Sequence, residues 1–123
     1  MAEESPHYPT EVVRELVRQR KCNFARNAYR EAEDLGYAGE EKYLLLEELS
    51  ESDYRYSVDF SSDRPDIKMD VYFVRRRSRL NPEYMCDIYV KILVTPLSEA
   101  VISIENAEHV SVRSFHLERG GRL

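Results

Sequence analysis

Tyr89 and Lys91 stand two residues apart in a run from about Met85 to Thr95 where apolar and polar side chains alternate. On a strand that spacing puts a phenol and an ammonium on one face, a pair that can meet a phosphate. More side chains of the same chemistry lie nearby in sequence. Arg55 and Lys68 lie on two further candidate strands, and Arg75, Arg76, Arg77 and Arg79 form the densest basic run. Tyr54, Tyr56 and Tyr72 have flat faces on which the bases of single-stranded RNA can stack. His116 is of the type that shuttles protons near neutral pH. Plainer readings stay open beside these. A strand tyrosine can simply pack, Lys91 can be a solvated sheet lysine, and His116 can be idle near a chain end. The arginine run is either a solvated loop or a set of guanidiniums that holds RNA by its backbone. For Tyr56, the shared alternation with Val58 and Phe60 favours core packing.

Metal chemistry is poorly supplied. Cys22 and Cys86 are far apart, and His7, His109 and His116 are scattered, so no zinc spacing exists and no cofactor is called for. Both thiols read as reduced, partly buried small residues. Charged residues make up 33% of the chain and hydrophobic ones 42%, the profile of a folded chain of one domain, 1–123, with loose ends at 1–5 and 118–123. The acidic N-terminus lacks the apolar segment of a secretory signal, and no run suits a membrane span, so a cytoplasmic protein is expected. A net charge of −5 argues against wholesale binding to nucleic acid. The charge is uneven, however. Residues 1–64 carry a net −6 and residues 65–123 a net +1, which leaves the second half able to present a positive face.

The elements that must position these groups divide into helices and then strands. Thr10 is a plausible N-cap for a helix with Val12, Val13, Leu16 and Val17 on one stripe, running to about Gln19. Lys21 to Phe24 is a link or edge strand. Ala28, Tyr29, Ala32 and Leu35 mark a second helix stopped by Gly36. Glu40 and Glu41 open a third, whose Leu44, Leu45 and Leu46 read as core and which ends near Ser50. Beyond Asp53 the period becomes two, with Tyr54, Tyr56, Val58 and Phe60 on one face and Arg55, Ser57 and Asp59 on the other. Residues 61–66 form a turn by composition. Strands follow at Lys68 to Arg75, Met85 to Thr95, Val101 to Ile104 and Val110 to His116. The expectation is an α+β fold, with three N-terminal helices packed on one face of an antiparallel β-sheet whose other face stays partly open.

Several short segments carry a resemblance to a known family. They are Pro6-His7, Ala25-Arg26-Asn27-Ala28, Ala32-Glu33-Asp34-Leu35-Gly36, Leu49-Ser50-Glu51-Ser52-Asp53-Tyr54, Asp70-Val71-Tyr72 and Tyr89-Val90-Lys91-Ile92. In this order the chain resembles the MqsR family of toxins from type II toxin–antitoxin systems. The resemblance implies a RelE-like fold and a metal-independent endoribonuclease that cuts messenger RNA. It also implies a cognate antitoxin protein as partner. Such cleavage needs a base for the ribose 2′-hydroxyl, positive charge at the phosphorane and a proton for the leaving 5′-oxygen. Family members place a lysine in the first long strand, a glutamine in the second, a tyrosine in the third and a lysine near the C-terminus. Here those positions fall on Tyr56, on Met69 beside Lys68, and on Tyr89. The last falls on His116 or Glu105. His116 is preferred, because that alignment keeps the Ser114-Phe115 pair. The resemblance thus implies Tyr89, Lys91, His116 and Arg55 as catalytic residues. Lys68, Arg75, Arg76, Arg77, Arg79 and Tyr56 would bind RNA. Two other readings are a catalytically impaired relative that only binds RNA or protein, and an acidic immunity or antitoxin-type protein.

Overall fold

In the computed structural model, which describes residues 5–97 and 103–118, apolar spacing and backbone breakers set the helices. Helix α1 (Thr10–Arg18) buries Val12, Val13, Leu16 and Val17. Thr10 is its first helical residue rather than its cap. The Thr10 side chain is buried and its hydroxyl meets the Tyr72 hydroxyl at 2.8 Å. Strand β1 (Cys22–Phe24) leads into α2 (Arg26–Asp34). Gly36 closes that helix at φ 95°, and the next amide, of Tyr37, donates to the Ala32 carbonyl. A side chain there would stand 2.7 Å from Arg79 Cβ, so both the turn and the close approach require glycine.

Helix α3 (Glu41–Glu47) is shorter than its leucines suggest. Leu45, Leu46 and Leu49 are buried, but Leu44 is 49% exposed, because three consecutive residues span too wide an arc of a helix to share one buried face. Ser50 and Asp53 then form a reciprocal cap on a single 3-10 turn, which aims the chain into the sheet.

Four long strands and β1 build one sheet. β2 (Tyr54–Ser61), β3 (Arg64–Arg77), β4 (Met85–Thr95) and β5 (His109–Leu117) form an antiparallel set. The order is β1-β5-β4-β3-β2, and β1 joins β5 in parallel, which makes the sheet mixed rather than purely antiparallel. The expected turn at 61–66 shrinks to Ser62-Asp63, since Arg64 already pairs with Ser61. Of the expected strand at 101–104, Val101 and Ile102 lie outside the described residues, as do the chain ends at 1–4 and 119–123. Ser103 instead accepts the amides of Asn106 and Ala107 in a turn. No described helix is long and apolar enough to cross a membrane.

The helices cover one face of the sheet, where Tyr72, Val74, Ile88, Val90, Ile92, Val112 and Phe115 are buried. Two polar anchors hold this side together, and neither is apparent from residue type. Asp70 is fully buried and accepts the His7 amide (3.0 Å), the Tyr8 amide (2.8 Å) and the Ser57 hydroxyl (2.6 Å), tying the chain start to β2 and β3. Burial pushes its pKa up against those hydrogen bonds. Lys42 is also buried, between the Glu33 carboxylate at 2.9 Å, the Gly39 carbonyl at 3.1 Å and the Tyr29 ring at 4.4 Å.

Candidate active site on the open sheet face

A β-bulge at the start of β2 decides what faces outward. Tyr54 pairs with Tyr72 but Tyr56 pairs with Val71, so Arg55 is the extra residue. The strict alternation read from sequence is therefore broken. Tyr54 is buried against Tyr72 on the helix side, whereas Tyr56 is 42% exposed on the other face and does not pack in the core. Nor is Arg55 opposed to Tyr56, because its guanidinium lies 5.2 Å over the ring of Phe73, itself 6.3 Å from the Tyr56 ring.

Register carries this aromatic patch across the sheet. Phe73 pairs with Tyr89, and Tyr89 pairs with His116. The Phe73 and Tyr89 rings are 5.9 Å apart. The Tyr89 and His116 rings are parallel, 8° between planes and 4.7 Å between centroids. Nδ1 of His116 lies 2.8 Å from the Leu117 carbonyl. A carbonyl only accepts, so Nδ1 carries the proton in the neutral ring and Nε2 keeps the lone pair. Partial burial raises the Tyr89 pKa above its usual 10.0, helped by the neighbouring Tyr56 hydroxyl and the charge of Glu118. Tyr89 is therefore an O–H donor at neutral pH, not a base.

Lys91 follows Tyr89 on the same face and pairs with Ser114. Among the described residues it meets no carboxylate, and neither do Arg55 and Arg113. The other expected basic residues are not gathered here. Lys68 is held by Asp59 at 2.5 Å, on the face opposite Met69. Arg76 and Arg79 reach back to Glu48 (2.8 Å) and Glu41 (2.7 Å), and Arg79 also covers Tyr37 at 4.3 Å. Arg76 fastens the end of α3 to β3, and Arg79 fastens its start to the loop after β3. Arg75 shares the Phe73 face but is paired with Asp87 at 3.2 Å, and Arg77 donates to the Pro82 carbonyl. Phe73 and Arg113 were missed by residue-type reasoning. Phe73 comes into phase with Tyr89 only through the strand register. Arg113 is aimed by a register shift between Lys91 and Ile92.

The family model for the motility quorum-sensing regulator, toxin of MqsA, matches residues 5–106. The chain belongs to the MqsR toxin family. No curated protein matches it. Membership makes the chain the toxin side of a toxin–antitoxin pair, with an antitoxin as partner. The MqsR match spans Arg55, Tyr56, Met69, Tyr89 and Lys91, and it ends before His116. The two candidates for the last basic position have different surroundings. Glu105 lines a cavity with Pro9, Glu11 and Glu15 beside α1, whereas His116 stacks on Tyr89. Tyr56, where the resemblance expects a lysine, supplies a hydroxyl against Tyr89 rather than a charge.

Proposed function

We propose that this MqsR-family toxin is an endoribonuclease that cleaves single-stranded messenger RNA without a metal, using Tyr89, Lys91, His116 and Arg55. The observation that carries the reading is the parallel stack of Tyr89 on His116 beside Lys91 and Arg55, which meet no carboxylate among the described residues. Nε2 of His116 takes the proton of the ribose 2′-hydroxyl, whose oxygen then attacks the adjacent phosphorus. Lys91 and Arg55 offset the negative charge of the pentacoordinate phosphorane. The Tyr89 phenol hands its proton to the departing 5′-oxygen, giving a 2′,3′-cyclic phosphate and a 5′-hydroxyl. The imidazolium then loses its proton to solvent and the phenolate regains one, which restores both groups. Phe73 and Tyr56 offer flat surfaces to the flanking bases.

The purified protein incubated with single-stranded RNA in EDTA, with ends mapped, tests the activity. Replacing Tyr89 by Phe and His116 by Ala together should abolish cleavage, by roughly a thousandfold or more, and leave the melting temperature unchanged. Undiminished cleavage by that double variant overturns the assignment. A second reading, a relative that binds RNA without cutting it, is favoured by Tyr56 and Met69 standing where the family has lysine and glutamine. Retarded but intact RNA with the unaltered protein supports it.

A further inference from the structure

Next to the Tyr89–His116 pair the open face holds a second feature. A cavity of about 360 Å³ lies between Asn27, Phe60, Met69, Lys91, Arg113 and Ser114. Among the described residues its lining has two cations, one aromatic wall, one amide and no carboxylate. The Arg113 guanidinium lies 6.0 Å over the Phe60 ring although β2 and β5 are separated by two strands, so these two side chains reach toward each other across β3 and β4. Asn27 stands in the first turn of α2. Its Nδ2 donates to the Arg113 carbonyl at 3.4 Å, which leaves Oδ1 and one N–H to read a base edge. From the Tyr89–His116 pair to the Lys91–Ser114 pair is one two-residue step, about 7 Å along the strands.

We propose that this cavity binds the nucleotide next to the cleaved phosphate, with its base on Phe60, its phosphate between Lys91 and Arg113, and its base edge read by Asn27. The subsite rests on the RNA-cleaving reading, and it makes one flanking base a determinant of where the chain cuts. A planar base fits an aromatic wall whatever its identity, so Phe60 contributes affinity. The amide of Asn27 contributes discrimination, because an unmatched base leaves its donor and acceptor unpaired.

Binding is measured apart from cleavage by using fluorescent 2′-O-methyl oligonucleotides of U, A and C, which lack the attacking hydroxyl. Phe60 is 40% exposed, so Phe60→Ala should leave the thermal melt intact. It should weaken binding about tenfold, and Phe60→Tyr should restore it. Asn27→Ala should flatten the preference among the three oligonucleotides and, in cleaved RNA, the base preference beside the cut. Equal binding and equal base preference for the Phe60→Ala, Asn27→Ala and unaltered proteins overturn the subsite, as does failure of the unaltered protein to bind. Binding that depends on Phe60 together with no cleavage overturns the RNA-cleaving reading instead and leaves the cavity as a nucleotide site.

Discussion

On the helix-covered side of the sheet, Arg76, Arg79 and Lys42 are each held by a glutamate, whereas on the open side Arg55, Lys91 and Arg113 meet no carboxylate among the described residues. The same residue types therefore serve two purposes. A guanidinium already paired with a carboxylate fixes one element to another and has little field left to offer a phosphate. An ammonium that shares its surroundings with Ser114, Met69 and Phe60 keeps its charge available. A chain with net charge −5 can in this way carry a positive face, because its acidic surplus is concentrated in the helical half.

That contrast can be broken by substitution. The largest effect on folding should come from Asp70→Ala, which leaves the amides of His7 and Tyr8 without their acceptor. A loss of about 3 kcal/mol in urea unfolding is expected, while cleavage per folded molecule should stay unchanged. On the other face, Lys91→Ala should lower kcat/KM on the order of a hundredfold with the unfolding midpoint preserved. A collapse of stability in that variant would mean that Lys91 belongs to the scaffold.

The pH profile sharpens the role of Tyr89. Its pKa is raised by burial, so the protonated donor persists further into alkali than an ordinary tyrosine does. Once background hydrolysis of RNA is subtracted, the rate should hold through about pH 9 and fall only above 10.0. A decline that sets in at lower pH would assign the alkaline limb to another group. The smallest effect should follow Arg76→Ala, which removes a half-exposed ion pair. A change of about 0.5 kcal/mol or less, with cleavage intact, is the expected outcome of thermal melts and RNA assays.

Residue types and periodicity alone determined a good deal here. The stripe of α1, the stop at Gly36 and the alternation of β4 could be read directly, because each depends on neighbours in the chain. The Tyr89 and Lys91 pairing was legible for the same reason, and the motifs from Pro6 to Ile92 carried the family. What lay beyond the sequence depended on register and on distant partners. A one-residue bulge at Arg55 sent Tyr56 outward and Tyr54 inward, and no local signal announces a bulge. Long-range pairing set Phe73 and His116 beside Tyr89. The arginine run looked uniform in the sequence. Strand alternation and the carboxylates of α3 then took Arg76 and Arg79 for the scaffold, while Arg113, a lone arginine in sequence, was turned to the open face. The physical reason is common to all of these. A side chain's type states what it can bind, but only the folded chain determines whether another part of the same molecule has already bound it.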